Sequence, residues 1–169
     1  MTGETQPSPP PVGLVTWRAI PGKRRGVVAV RDCNAGTELE RSLVIFVPDR
    51  DLVERDQPPT VFDEYLMYWS DEPDREVVMG TGLLMIYNHS SSPNVELEDG
   101  PDADTMSVIA LRDIKAGEEL TYDYDTELWF EPHPEPRGCG RGAGGRRHVK
   151  NVRARLVYGK EAADQAARV

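Results

Sequence analysis

Y-N-H-S-S-S-P-N at residues 87–94 and G-E-E-L-T-Y-D-Y at residues 117–124 are the stretches that decide the fold of this chain. A third stretch, G-K-R-R-G-V-V-A at residues 22–29, joins a turn to a β-branched run, as a hairpin does. The chain has 169 residues, a length that suits one domain with one hydrophobic core. The three stretches therefore belong to one folded unit.

Together the three stretches resemble the signature motifs of SET-domain protein-lysine N-methyltransferases. In that family N-H-S-x-x-P-N is followed by G-E-E-L-x-(F/Y)-D-Y, and a K-G-x-G-V-(F/V)-A hairpin lies upstream of both. The resemblance covers roughly residues 14–130, with the motifs in family order. It implies a SET-domain fold of small curved β-sheets around a pseudoknot, a threaded topology that periodicity alone does not reveal.

Outside the motifs, the pattern favours a mainly β fold with few short helices. Short apolar runs alternate with turn signals through residues 12–47, which indicates a meander of strands. Val95–Leu97 and Met106–Leu111 flank an acidic loop, as in a hairpin. A short helix is predicted at Thr60–Leu66, and the Ala-rich residues 160–168 predict another near the C-terminus.

Composition divides the chain into three segments. Residues 1–11 are polar and hold four prolines, and we interpret them as a flexible lead. Residues 12–130 form the expected SET domain. Residues 131–169 begin as a Gly/Pro-rich loop in the place of a post-SET region and continue as a basic segment with the predicted helix at its end.

The sequence predicts an intracellular protein, cytoplasmic or nuclear, with no membrane partner. No apolar run approaches the ~18 residues of a membrane span, and the N-terminus lacks the pattern of a secretory signal. The two cysteines, Cys33 and Cys139, are expected to be buried or free thiols rather than a disulfide.

The formal net charge is −9, and the charge is unevenly spread. Residues 137–155 hold seven Arg or Lys and no Asp or Glu, so the rest of the chain is strongly acidic. An acidic body attracts a basic protein or peptide, although simple solubility explains the same excess equally well. Nucleic-acid contact by residues 137–155 is the less favoured interpretation, because the segment lacks interleaved aromatics.

The resemblance implies transfer of a methyl group from S-adenosyl-L-methionine to the side-chain amine of a lysine in a protein substrate, with histone-like proteins among the candidates. Tyr124 matches the catalytic tyrosine, whose hydroxyl orients the lysine nitrogen and the methyl group. Tyr122 matches the Phe/Tyr position, where a hydroxyl leaves less room for a methylated amine, so we predict mono-methylation. Alone, two alternating tyrosines are more typical of a strand facing a core. The first motif favours the catalytic interpretation.

The same resemblance implies the cofactor contacts. Lys23, Arg24 and Gly26 would present backbone groups, with Gly26 allowing close approach. Asn88 would hold the methionine part of the cofactor with its side-chain amide, and the His89 backbone would contact the adenine. The His89 side chain is expected to take no part in the chemistry.

Two aromatic positions extend the predicted site. Tyr65, within E-Y-L-M-Y-W, resembles an aromatic that lines the cofactor or lysine pocket, although an ordinary core role is equally well supported. Trp129 and Phe130 follow the second motif, where an aromatic in related enzymes stacks on adenine or closes the lysine channel; we assign Trp129 to the cofactor. Asn94 is expected to be structural, and Ser91 a buried small residue.

The sequence departs from many SET enzymes in its cysteines. A three-cysteine zinc cluster often follows the second motif, but only Cys139 lies there, and one thiolate cannot build a tetrahedral zinc site. Adding His133 or His148 gives at most three ligands. We therefore predict no metal, and a compact protein without the cysteine-rich pre-SET and zinc-binding post-SET regions. The oligomeric state stays open.

Two other functions compete with the enzyme. One is a binding module with the SET fold and little or no turnover, which the intact Tyr124, Asn88 and Gly26 disfavour. The other is a nucleic-acid binder that acts through residues 137–155. Salt-dependent retention on DNA would favour the latter, whereas cofactor binding would favour the SET functions and turnover would separate these two.

Overall fold

The computed structural model describes residues 11–48, 51–52, 61–69, 76–125 and 150–151. Ten strands and short 3₁₀ helices form within these residues. The strands are β1 (Val15–Arg18), β2 (Gly26–Ala29), β3 (Glu38–Val47), β4 (Leu66–Tyr68), β5 (Val77–Gly80), β6 (Asn88–His89), β7 (Val95–Asp99), β8 (Thr105–Ala110), β9 (Glu119–Tyr122) and β10 (Lys150–Asn151). Two 3₁₀ helices matter below, η1 (Val61–Tyr65) and η2 (Gly82–Ile86).

The strands form two sheets. The smaller has the order β1-β2-β9-β6, and the larger has the order β10-β4-β5-β3-β8-β7. Most pairs are antiparallel, but β6 pairs with β9 in parallel. That parallel pair joins segments about 30 residues apart in sequence, so it brings the first motif beside the second.

Strand β3 organises the larger sheet. Its first part pairs with β8 through Glu38–Leu43, and its second part pairs with β5 through Val44–Val47. The register shifts between Glu38 and Glu40, as in a β-bulge, which bends a strand locally. One ten-residue strand thus serves two sets of neighbours.

The hydrophobic core lies under both sheets. Strand β2 is buried along its whole length; it lies between β1 and β9, and its Val27 and Ala29 side chains pack in the main core cluster. The main cluster includes Val27, Leu39, Val78, Met106 and Leu120, and it also holds aromatic residues of the candidate site. A second, smaller cluster forms around Leu66 and Val77.

The predicted hairpin and the predicted mainly β character are confirmed, but the predicted helix is only partly right. β7 and β8 pair antiparallel around the acidic loop. The helix expected at Thr60–Leu66 is the five-residue 3₁₀ helix η1, and Leu66 already belongs to β4. Leu66 pairs with Met79, so strand pairing overrides the local preference of this residue for a helix.

Several expectations fall outside the described residues, among them all but the last residue of the lead at 1–11 and the C-terminal helix at 160–168. Cys33 is buried and carries a free thiol, whereas Cys139 lies outside the described residues. Ser91 is exposed, which corrects the expectation that it is buried. In the described part of the chain, no helix has both the length and the apolar character needed to cross a membrane.

Candidate active site

The parallel pairing of β6 with β9 builds the centre of the site. Asn88 lies opposite Thr121, and His89 lies opposite Tyr122. The Ser90 N–H continues this pairing by donating to the Tyr122 carbonyl at 3.1 Å. The two motifs are therefore neighbours in space, as their resemblance to a single family site predicts.

Asn94 locks the two motifs together. Its side-chain N–H group donates to the Glu119 carbonyl at 2.8 Å and to Glu118 Oε1 at 3.1 Å, while its Oδ1 accepts the Thr121 N–H at 2.8 Å. The residue is buried, with 3% of its surface exposed. These contacts support the structural role predicted for Asn94.

Tyr124 is held at both its main chain and its side chain. Its hydroxyl donates to the Tyr87 carbonyl at 2.8 Å, and its N–H donates to His89 Nδ1 at 3.2 Å. The Tyr124 ring packs against Tyr122 at 4.8 Å and against His89 at 5.3 Å between ring centroids. Tyr122 and Tyr124 thus lie side by side, as their alternation predicts.

The His89 side chain has a positioning role that the sequence argument did not assign to it. Because Nδ1 accepts the Tyr124 N–H, the ring proton of neutral His89 must reside on Nε2. The Asp123 carboxylate lies 3.6 Å from the same Nδ1. His89 therefore fixes the backbone of Tyr124.

Burial raises the pKa of Tyr124 to about 12, and the nearby Glu119 and Tyr65 add to this shift. Each of these causes disfavours the phenolate, so Tyr124 remains a neutral hydroxyl near physiological pH. Its hydrogen is directed to the Tyr87 carbonyl, which leaves the oxygen lone pairs as acceptors.

Tyr122 is more deeply buried than Tyr124. Burial is the largest cause that raises the pKa of Tyr122 well above its ordinary value, followed by Tyr124. Its hydroxyl points at the thioether of Met67 on β4, 3.9 Å from Sδ. The sequence argument missed Met67, which reads as one more apolar residue in an aromatic-rich stretch.

Beside the tyrosines lies a polar cradle formed by Lys23, Arg25, Asn88 and Glu119. The Asn88 side-chain N–H group donates to the Arg25 carbonyl at 2.8 Å and to Glu119 Oε1 at 2.7 Å. Both of its N–H bonds are thereby used, and only Oδ1 remains to meet a ligand. Asn88 can therefore accept a hydrogen bond from a ligand, a narrower role than the amide contact predicted.

Glu119 links Asn88 to the hairpin. Its second carboxylate oxygen lies 3.2 Å from Lys23 Nζ, and both side chains are partly exposed. Glu119 was predicted only as a letter of the second motif, although its side chain bonds Asn88 of the first motif. The prediction for Lys23 concerned its backbone, whereas its side chain also reaches the cradle.

The hairpin approaches the cradle closely at Gly26. A Cβ atom there would lie 2.6 Å from Asn88 Nδ2 and 2.8 Å from Glu119 Oε1, so no side chain fits. Arg24 has a φ of 65°, in the left-handed region that favours glycine, and its side chain is exposed. The family pattern has glycine at this position. The chain therefore keeps the left-handed backbone of the turn although a non-glycine residue is strained there.

Tyr65 closes the site from the side of η1. Its hydroxyl accepts a hydrogen bond from Arg25 Nη2 at 2.9 Å, and it lies near enough to Tyr124 to raise the pKa of that residue. It thus belongs with the site and not only with the core. Trp129 and Phe130 lie outside the described residues.

The cradle suits a ligand that carries both an ammonium and a carboxylate group. Asn88 Oδ1 and Glu119 are acceptors for an ammonium, and Lys23 is a donor for a carboxylate. The described residues contain no group of three His, Cys, Asp or Glu side chains arranged to hold a metal ion. Cys139, His133 and His148 lie outside them.

Known proteins resemble this chain in sequence and in fold. Residues 24–125 match the family model described as SET domain. A histone-lysine N-methyltransferase of Schizosaccharomyces pombe, H3 lysine-37 specific, is 35% identical over 109 residues, 64% of this chain and 71% of that protein. The histone-lysine N-methyltransferase trr of Drosophila melanogaster is 35% identical over 78 residues, 45% of this chain but only 3% of that protein.

A solved structure also matches. It is a Plasmodium falciparum protein proposed to be a histone methyltransferase, with a TM-score of 0.51 and 19% identity, covering 69% of this chain and 96% of that one. At this sequence identity, the structural similarity supports the fold alone. Together with the family match, it confirms the mainly β SET-domain fold predicted from the motifs.

Proposed function

Because the chain belongs to the SET domain family, we propose that it is a protein-lysine N-methyltransferase that uses S-adenosyl-L-methionine. One observation carries the proposal: Tyr124 is fixed by His89 and by the Tyr87 carbonyl next to the cradle that contains Asn88. A hydroxyl acceptor and a ligand cradle side by side are what methyl transfer between two bound molecules needs.

The residues proposed to hold the cofactor fit its chemistry. Its methionine end has an ammonium and a carboxylate, which match Asn88 Oδ1 and the Lys23–Glu119 pair. The bare Gly26 lets Asn88 and Glu119 approach the hairpin closely, and the backbone groups of Gly26, Arg24 and His89 are proposed to complete that side. Tyr65 and Trp129 are proposed to cover the cofactor from the remaining sides. When bound, the cofactor supplies an electrophilic methyl group on a positively charged sulfur.

The site handles the substrate proton without a base. A lysine amine has an ordinary pKa of ~10.4, so it must become neutral before it can attack. Aromatic walls exclude water and lower the pKa of an entering ammonium. Tyr124, whose pKa is raised to about 12, keeps its own proton, and the substrate proton passes to solvent.

Tyr124 instead orients the amine. Its oxygen accepts an N–H of the amine, which turns the nitrogen lone pair toward the methyl group. With the cofactor held by the cradle, the oriented amine would take up its methyl group, and the electron pair of the broken S–C bond would stay with the cofactor. The same oxygen and the nearby Tyr87 carbonyl stabilise the positive charge that spreads over the methyl group.

We further propose that the main product is mono-methyl-lysine. The Tyr122 hydroxyl next to Tyr124 occupies space that a second methyl group would need. The substrate is proposed to be a basic, histone-like protein, since the net charge of −9 attracts basic segments. Both curated relatives are named as histone-lysine methyltransferases, which supports this class and a nuclear or other intracellular location. The catalytic domain is proposed to span residues 12–130.

Transfer of a labelled methyl group from S-adenosyl-L-methionine to mixed histones and a basic protein extract tests the proposal. We expect label on lysine with the wild-type chain and little with Tyr124→Phe. Tyr68→Phe is the matched control, because it removes the same phenol oxygen from β4 in the second cluster. Equal loss in both variants would contradict a special role for Tyr124. Cofactor binding without label would favour the SET-fold binding module instead.

A further inference from the structure

The Tyr122 hydroxyl has a weak partner for a group so deeply buried. Only 7% of the residue is exposed, and the contact of its hydroxyl within the described residues is Met67 Sδ at 3.9 Å. A thioether is a weak hydrogen-bond acceptor. Buried hydroxyls usually have stronger partners, so the contact calls for an explanation.

The neighbouring hydroxyl is held differently. Tyr124 donates to a backbone carbonyl at 2.8 Å, a geometry typical of a full hydrogen bond. The two tyrosine rings pack against each other, with 4.8 Å between the ring centroids. One O–H bond there is firmly directed, and the other is directed only by sulfur.

We propose that Met67 directs the Tyr122 O–H bond and thereby limits the number of methyl groups added to one lysine. The inference rests on the proposed function, because it requires the lysine amine to lie against the Tyr122–Tyr124 pair. Met67 acts through Tyr122 and is a positioning residue. Its side chain is 3% exposed, so it fills the space beside the hydroxyl and excludes water from it.

The effect of Tyr122 on the substrate depends on which of its atoms faces the amine. With the hydrogen directed at sulfur, the Tyr122 oxygen offers lone pairs and accepts an amine N–H. Each transfer forms one N–C bond, and the product ammonium then loses a proton to solvent, so the neutral amine has one N–H fewer. An acceptor oxygen therefore favours the unmethylated amine over the methylated one.

Removing the sulfur changes this preference. Met67→Leu conserves volume but leaves the Tyr122 hydrogen without its acceptor, so the hydroxyl rotates and no longer holds a lone pair toward the amine N–H. The extra N–H of the unmethylated amine then gains less from Tyr122, and methylated and unmethylated lysine bind more equally. The ratio of di-methyl to mono-methyl product should rise about fivefold, the size expected from one modest hydrogen bond.

The experiment measures this ratio by mass spectrometry on mixed histones for the wild type, Met67→Leu, Tyr122→Phe and the double variant. Met79→Leu is the matched control, since Met79 packs in the second cluster. Thermal denaturation of each variant checks that it folds. We expect a raised ratio in Met67→Leu, no change in Met79→Leu, and no further change when Met67→Leu is added to Tyr122→Phe.

The outcomes separate the two proposals. An unchanged ratio in Met67→Leu overturns the inference and leaves the methyltransferase standing. A rise of the same size in the Tyr122→Phe background also overturns it, because Met67 would then act by packing and not through the hydroxyl. A folded wild-type protein that binds cofactor but methylates no lysine contradicts the proposed function, and this inference with it.

Discussion

Tyr124 shows how a single side chain can be chemically useful without ionising. Burial, Glu119 and Tyr65 raise its pKa to about 12, so folding stabilises the protonated phenol. This contribution is fully present below the ordinary pKa of ~10 and is lost as the pH rises through about 12. The residue therefore works as a fixed, neutral hydroxyl over the range in which the substrate amine loses its proton.

Tyr124→Phe should lower kcat by about 10²–10³, because it removes an oxygen that stabilises charge in the transition state. The rate of both proteins should rise from about pH 7 toward about pH 10, as the lysine amine becomes neutral. Steady-state rates across that range measure both effects. A rise at a different pH in the variant would show that the phenol takes the proton, contrary to the proposed mechanism.

Glu119 gives a second prediction for a single residue. Glu119→Gln should weaken cofactor binding about tenfold, since it removes the charge that orients Asn88 and pairs with Lys23 at a partly exposed site. Calorimetric titration measures the Kd directly. The adjacent Glu118→Gln is the control, because Glu118 bonds Asn94 and Arg112 instead. Similar weakening in both variants would contradict the assignment.

The motifs predicted the residues of the site better than their contacts. Tyr122, Tyr124, Asn88 and the hairpin were expected, because each has a family position. The sequence could not show that both side-chain N–H bonds of Asn88 donate to groups within the protein, or that the Tyr122 hydroxyl faces Met67. These details depend on packing between distant segments, which a local pattern does not encode.

At the level of elements, hairpins were predictable and the parallel pair was not. β7 and β8 are neighbours in sequence with a turn signal between them, so local rules identify them. β6 has only two residues, Asn88–His89, too short for any periodicity to indicate a strand. It exists because β9 supplies its partners, and only the family resemblance pointed to that arrangement.

Asn94→Ala tests the contribution of this connection. The change leaves the buried Thr121 N–H and the Glu119 carbonyl without their hydrogen-bond partner. The free energy of unfolding should therefore fall by about 3 kcal/mol. Urea denaturation measures the free energy of unfolding. Ser91→Ala, in the same motif but exposed, should change it by less than about 0.5 kcal/mol. Equal effects would mean that Asn94 does not hold the motifs together.

Across the whole molecule, three carboxylates join segments that are distant in sequence. Asp32 accepts a hydrogen bond from Lys115, and Glu38 accepts from Arg41 and Ser107. These bonds lower the pKa of both carboxyls, with Lys115 the largest cause for Asp32 and Arg41 for Glu38.

Glu118 is the third. Burial raises its pKa, but hydrogen bonds from Arg112, the Lys115 N–H and Asn94 outweigh burial and lower it. The three carboxylates tie the ends of β2, β3, β8 and β9 to one another.

Acid should therefore loosen the fold at several connections together. A pKa that is lower in the folded chain gives stability that is present above the ordinary pKa of 3.8 for Asp or 4.5 for Glu and is lost as the pH falls through the folded-state value. The free energy of unfolding, measured with urea from about pH 7 to about pH 3, should fall below about pH 4.5. The free energy of unfolding of Glu118→Gln should be lower than that of the wild type at neutral pH. It should also fall less in acid, because the variant lacks the carboxylate that takes up a proton. Identical slopes in the two proteins would show that Glu118 does not couple folding to pH, and that the loss arises at other carboxylates.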